Sequence, residues 1–283
     1  MFKPTTIIAP IDFSDLSIQA LRCAREIAAK FDAEVLVLYA ETFVGSPDYA
    51  YFSAEALAHA FDEQMAYARR RLEQVIADTI GERVPARALV TGQGPITAIL
   101  TAGGTHPDCL IVLGTHGRGG FTKLLLGSVS ERILRESRRP VLTVRPDGSG
   151  GLPEGSVRTI LCPVDFNETS ARAIEHAGAF AQRFGSKLLT IHLAAPDEPP
   201  ETAMERLQSW IPPELRERCD PRTLGRDGDP AEQIVRQAAT ERVDLIVIGA
   251  EHKRFYDTTV IGSTTERVTR HAPCPVMTVF GGE

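Results

Sequence analysis

Short aliphatic runs recur along this chain, with amphipathic stretches between them. In the first half the runs are Thr6–Ala9, Glu34–Leu38, Ala86–Val90, Cys109–Leu113 and Val141–Val144. Their near-continuous apolar character predicts strands buried on both faces, as in a parallel sheet. The stretches between them read as helices. In Ser14–Lys30, residues Leu21, Ala24, Ile27 and Ala28 share one face, and Ser14 is placed to cap the amino end. A longer helix is predicted from Ser53 to Asp78, with Leu57, Phe61, Met65, Leu72 and Val75 on its buried side. Pro95 suits the first turn of a helix running to about Ala102, and the last helix of this half begins after Gly127. The second half repeats this order. Its long helix is replaced by a short one near Glu201–Trp210, stopped by Pro212 and Pro213. Strands alternating with helices imply an α/β fold, an open parallel sheet with helices on both faces and right-handed crossovers.

The order repeats because the sequence does. Thr6-Ile-Ile-Ala-Pro10-Ile-Asp12-Phe13 recurs as Thr159-Ile-Leu-Cys-Pro163-Val-Asp165-Phe166, an offset of 153. Pro140-Val-Leu-Thr-Val144 recurs as Pro275-Val-Met-Thr-Val279, an offset of 135, so the second copy has lost 18 residues in its middle. A period this long marks a duplicated domain and not a solenoid unit. The expected organisation is one domain over residues 1–146, a turn-rich linker over 147–156 and a second domain over 157–283, each long enough to bury its own core.

Composition narrows the function. The net charge of −6 and the lack of a basic block exclude nucleic acid as an expected partner. No apolar run approaches the roughly 18 residues of a membrane span. A strand begins almost at once, so no signal segment is expected. The five cysteines are scattered without a CxxC pair, which suggests reduced thiols and a cytoplasmic setting; Cys23, Cys109 and Cys162 sit in apolar contexts and read as core residues. His59, His106, His176, His192 and His271 show no metal-ligand spacing, and no metal site is expected.

The most specific chemistry lies after the fourth strand. Leu110–Leu113 leads into Gly114-Thr-His116-Gly117, then nine residues, then Gly127-Ser128-Val129-Ser130 at the head of a helix. A strand, a glycine-bearing loop and a hydroxyl-rich helix start bring backbone N–H groups and a helix dipole to one point, which is how proteins hold phosphate. No Gly-Lys-Ser/Thr ends the loop, so it is not the common P-loop. In open parallel sheets, ligands sit beyond the carboxyl ends of the strands. Asp12 follows the first strand, Ala40 the second and Gly114–Gly117 the fourth, so all edge one crevice if strands one and four are neighbours.

Gly-x-x-Gly-(nine)-Gly-Ser after an aliphatic strand, with Pro10-x-Asp12-x-Ser14 after the first, resembles the universal stress protein family, and the resemblance covers the whole chain as a tandem pair. It implies a five-stranded parallel sheet in the order 3-2-1-4-5 for each domain, and a bound adenine nucleotide (ATP, ADP or AMP, with or without Mg2+) where the signature is intact. Carried over position by position, it places Pro10 and Asp12 beside the nucleoside. The backbone of Ala40 meets the adenine edge, and Leu113 and Gly114 lie on the ribose side. His116 and Gly117 open the phosphate loop, and Gly127, Ser128, Val129 and Ser130 close it. Glycine at 117 and 127 lets the backbone approach oxygen atoms, and the hydroxyls of Ser128 and Ser130 are expected as further donors. Arg118 and Lys123 are the cations within the loop. In the second copy Glu251 stands for His116 and His252 for Gly117, which is expected to weaken anion binding there.

The resemblance therefore implies a cytoplasmic stress or regulatory protein that binds ATP in its first domain as a switch. A slow ATPase or phosphoryl-transfer protein at the same site, and a ligand-free interaction module, are the alternatives. No catalytic residue is expected: a metal-holding acid, a positioned nucleophile and a phosphate lysine are not assembled. The last strand of each domain, Val141–Val144 and Val276–Val279, becomes an apolar edge in the family order. Such edges need covering, so the two are expected to pair antiparallel within the chain, with homodimerisation of the whole chain left open.

Overall fold

The structure is a computed structural model. It describes residues 2–41, 53–115, 126–146, 152, 156–195, 197–225, 228–255 and 258–281, with backbone alone for 252–255 and 258–260. In the first half the elements are β1 (Thr6–Pro10), α1 (Asp15–Phe31), β2 (Glu34–Ala40), α2 (Ala54–Thr79), β3 (Ala86–Thr91), α3 (Pro95–Thr105), β4 (Cys109–Gly114), α4 (Ser128–Glu136) and β5 (Val141–Val144). The second half supplies β6 (Thr159–Pro163), α5 (Glu168–Phe184), β7 (Lys187–Ala194), α6 (Pro200–Trp210), β8 (Cys219–Gly225), α7 (Pro230–Thr240) and β9 (Leu245–Ala250). It ends with β10 (His252–Phe255), β11 (Thr258–Ile261), α8 (Ser263–His271) and β12 (Val276–Phe280).

Ten strands form one sheet in the order β3-β2-β1-β4-β5-β12-β9-β6-β7-β8. Read from either outer edge inward, each half runs 3-2-1-4-5, with parallel pairing throughout. The halves meet at β5 and β12, which pair antiparallel with Val276 opposite Thr143 and Thr278 opposite Val141. Arg145, just past β5, donates from Nη1 to the carbonyls of Thr269 and Arg270 at the carboxyl end of α8, where a cation is favoured by the helix dipole. On one face α1 and α5 pack together through Phe31 and Phe180, and Phe2 of the amino terminus stacks on His176 with ring centroids 4.0 Å apart. Leu152 of the linker is buried, and its N–H donates to Cys23 Sγ at 3.2 Å.

Local chemistry accounts for the helices. Ser14 caps α1 by accepting from Ser17 N–H, and Asn167 caps α5 by accepting from Ser170 N–H. Both helices end in the left-handed region at equivalent positions, Asp32 (φ 56°) and Gly185 (φ 73°). The predicted face of α1 is correct: Leu21, Ala24, Ile27 and Ala28 are fully buried. Cys23, Cys109 and Cys162 are buried free thiols, and burial pushes the Cys23 and Cys109 thiols up to about 11.

Three expectations need correction. The outer strand β3 is not buried on both faces; its residues are half-buried or exposed, because the sheet ends there. Along α2 only Leu72 of the predicted face is fully buried, joined by Ala68 and Thr79, while Leu57, Phe61, Met65 and Val75 are half-buried. A helix of 26 residues outruns the strands it covers, so its amino-terminal half has little sheet to pack on. The aliphatic pattern also predicts no strands between β9 and α8, where β10 and β11 form an antiparallel hairpin. Thr-Thr-Val-Ile, rich in β-branched residues, was the available signal.

Burial against Phe2 pushes the His176 imidazole down to about 4 from an ordinary 6.5. The unfolded chain therefore binds a proton that the native state does not, and native stability falls as the pH drops from 6.5 toward 4. The expected loss from this group is roughly 3 kcal/mol. Thermal unfolding of the wild type and of His176→Phe across pH 7.5 to 4.5 checks it: the wild type should lose more stability on acidification, and parallel curves would refute the assignment.

Candidate functional site

The sheet register brings the described residues among those predicted for the first half to one end of the sheet. β1 lies between β2 and β4, with Pro10 opposite Leu38 and Ile8 opposite Ile111. The carboxyl ends of the three strands thus set Pro10 and Asp12, Ala40, and Leu113 and Gly114 side by side. Asp12 is held where it leaves β1: its Oδ1 accepts from Ser14 N–H at 3.0 Å and Ser14 Oγ at 2.6 Å. Phe13 then takes φ 64°, a costly conformation for a bulky residue. Its ring lies 4.6 Å from Tyr39 of β2 and has the Arg71 guanidinium of α2 at 4.0 Å on its face.

At the other side of the crevice the chain leaving β4 is tied to the helix that follows. Thr115 N–H donates to Val144 O at 2.8 Å, and Gly127 N–H donates to Thr115 O at 2.6 Å. The Ser130 hydroxyl donates to Gly114 O at 2.9 Å and Thr115 O at 3.1 Å. This corrects the expected role of Ser130. Its buried hydroxyl fastens α4 to the end of β4 and is not an added phosphate donor. Ser128, Val129 and Ser130 form the first turn of α4, whose N–H groups have no acceptor within the helix. The side chain of Leu113 faces the core. His116 and Gly117, with Arg118 and Lys123, lie outside the described residues.

The second half builds the same crevice with different chemistry. A half-open pocket of about 250 Å³ lies between the ends of β6 and β9 and the first turns of α5, α7 and α8. Thr265 repeats the Ser130 clasp, donating to Gly249 O at 3.0 Å. Phe166 repeats Phe13 at φ 50°, with His192 at 4.3 Å and the Arg206 guanidinium at 3.9 Å. Asn167 replaces Ser14 and donates from Nδ2 to Glu251 Oε1 at 3.4 Å. Gly249 serves packing: a Cβ there would stand 2.6 Å from the backbone carbon of Thr169 in α5. The side chain of His252 lies outside the described residues. Among the described residues no three His, Cys, Asp or Glu side chains form a metal-holding group, and no helix is long and apolar enough to cross a membrane.

Sequence reasoning missed the Phe–Arg stacks. Their signal was present in the repeat, since Tyr39 and His192 share the offset of 153 while Arg71 and Arg206 share that of 135.

The profile of the universal stress protein family matches residues 4–145 and again residues 156–279. The chain belongs to the universal stress protein family. It is a tandem member of that family, and relatives of both lengths occur. A universal stress protein of Mycolicibacterium smegmatis is 26% identical over 295 aligned positions, covering 96% of each chain. One from Methanocaldococcus jannaschii is 34% identical over 143 positions, covering 49% of this chain and 81% of its own. The crystal structure of a universal stress protein from Archaeoglobus fulgidus superposes with a TM-score of 0.79 at 24% identity, covering 99% of this chain and 100% of that one, and shares its fold.

The two glycines of the second crevice make opposite demands. Gly249→Ala forces a Cβ into backbone atoms and should cost about 2 kcal/mol by overpacking. Gly262 is the N-cap of α8 at φ −54°, and no described atom outside its chain neighbours lies within 4 Å of where a Cβ would stand, so alanine there should cost only the weaker cap, on the order of 0.5–1 kcal/mol. Urea unfolding of the two variants checks both values, and equal midpoints would contradict the packing role of Gly249.

Proposed function

We propose that the first half binds ATP or a related adenine nucleotide in the crevice edged by Pro10, Asp12, Ala40, Gly114 and Gly127–Ser130. The bound state then acts as a switch in a cytoplasmic stress response. The observation that carries this reading is the strand-to-helix junction. Gly114 and Gly127 are drawn together through Thr115, so the amino end of α4 opens beside the end of β4 at the point where the sheet order reverses. Asp12, on the opposite wall, offers a carboxylate for hydroxyl groups of a sugar.

The reading is of binding and not of turnover. Phosphoryl transfer needs a phosphate lysine and a positioned nucleophile, and the loop ends in Gly127-Ser128 without the Gly-Lys-Ser/Thr that supplies the former. The second half is a weaker nucleotide site. Glu251 adds a negative charge beside its phosphate path, and a penalty of ~2 kcal/mol weakens binding roughly thirtyfold.

Gly127→Asp tests the first site without endangering the fold. Position 127 is the N-cap of α4 at φ −66°, where aspartate is favoured, so stability should hold or rise. The same carboxylate faces the phosphates, and ATP affinity measured by calorimetry should fall more than tenfold. Unaltered affinity would refute the site. The wild-type stoichiometry should be near one ATP per chain and should rise toward two in the double variant Glu251→His, His252→Gly.

A further inference from the structure

His192 is the counterpart of Tyr39, and the exchange puts an ionisable ring where the first half has a phenol. It stands on β7 beside the end of β6, with its side chain only 6% exposed. Its Nδ1 lies 2.9 Å from Val164 O. Its Nε2 lies 3.4 Å from Oε2 of Glu198, in the segment that leads into α6. A backbone carbonyl and an ionised carboxylate are acceptors only. A neutral imidazole carries one N–H and can serve one of them, whereas the imidazolium carries two and serves both. The two contacts together are those of a protonated ring.

Among the described residues, the charged groups around this ring come from two directions. Glu198 meets it directly, and Glu198 also accepts from Arg206 Nη1 of α6 at 3.5 Å. Desolvation raises the Glu198 carboxyl, but the bonds from His192 and Arg206 outweigh it and hold the group below its usual range, so the acceptor stays ionised. On β8 the register sets the uncharged Thr223 beside His192. Asp220 and Arg222 therefore point to the other face of the sheet, where Arg222 pairs with Glu241. From α5, which covers the same face as His192, the buried titratable side chain is His176, and it stacks on Phe2. Asp165, next after Val164, is exposed. The His192 ring also lies 4.3 Å from Phe166, which carries the Arg206 guanidinium on its face and meets Trp210 of α6 edge to face at 5.6 Å. Val164 and Asp165 line the second crevice. One side chain thus joins the wall of that crevice to the entry of α6.

We infer that His192 is a proton-operated latch. Protonated, it ties the entry of α6 to the end of β6 and holds the wall of the second crevice. Neutral, it gives up one of its two ties, and α6 loosens from that wall. The first half has no equivalent device, because a tyrosine does not change charge in the physiological range. The latch does not depend on which ligand either crevice takes.

Trp210 is the single tryptophan of the chain, so its emission reports on α6 directly. The test follows the fluorescence of the full chain from about pH 8 to about pH 5, the range in which imidazoles titrate, in the wild type, in Glu198→Gln and in His192→Tyr. The scan stops above the range of His176, which burial holds down at about 4. Wild-type emission should pass through one sigmoidal step, with Trp210 less accessible to acrylamide on the acid side. Both variants should lose the step. A carboxamide donates to a neutral ring as readily as it accepts from a charged one, so Glu198→Gln keeps the latch closed at either end of the scan. It is also nearly isosteric, and it decides the matter if circular dichroism shows His192→Tyr to be unfolded. A flat wild-type titration would overturn the inference. So would a step that survives in Glu198→Gln, as direct quenching of Trp210 by the imidazolium would give, or one that survives in a folded His192→Tyr.

Discussion

The antiparallel pairing of β5 with β12 is the contact on which the rest of the molecule depends. Val141, Leu142, Thr143 and Val144 are all buried, although β5 is the last strand of its own half. Without β12 they would form an apolar edge with bare N–H and C=O groups, a template for aggregation. Pairing satisfies both edges at once and makes one ten-stranded sheet of two five-stranded ones. It also brings Leu126 and Ile261 into one buried cluster with Leu113, Ile133 and Phe280. These two residues immediately precede Gly127 and Gly262, so the helix-side rims of both crevices are anchored in the same core.

Within each half, two local devices shape the crevice. A phenylalanine in the left-handed region turns the chain sharply out of the first strand. That conformation costs on the order of 1–3 kcal/mol and persists only where its surroundings enforce it. Here an arginine over the ring and the neighbouring Tyr39 or His192 do so. A hydroxyl then fastens the carbonyl of the strand-end glycine to the following helix, from Ser130 in one half and Thr265 in the other. Both devices act on the backbone, which explains how they recur while the side chains lining the crevices differ.

Divergence between the halves follows burial. The 18 residues missing from the second copy fall between the equivalents of Tyr39 and Arg71. Ala68, Arg71 and Leu72 in the carboxyl-terminal half of α2 correspond to Ala203, Arg206 and Leu207, and the alanines and leucines are buried in both copies. The amino-terminal half of α2 contributes no fully buried residue before Ala68, so its loss removes little core. The charge pattern also differs, with Asn167 and Glu251 bonded to each other in the second half.

Much of this was legible in the sequence. Aliphatic runs of strand length, helices with caps at Ser14 and Gly127, and a repeat at offsets of 153 and 135 are local or self-referential signals, and they determined two open α/β sheets with a crevice at the strand ends. The strand-to-helix junction between Gly114 and Gly127 was legible for the same reason, since the spacing of its glycines and hydroxyls alone marks it. Only the tertiary structure decided what each polar group does there. Nothing in the spacing tells whether the Ser130 hydroxyl points to a ligand or to Gly114 O, because that depends on how closely α4 approaches β4. Nor could periodicity reveal that half of α2 outruns its sheet, that Gly249 yields space to Thr169, or that Arg71 rests on Phe13. Those outcomes are set by distances between elements remote in sequence, and a linear pattern carries no such distances.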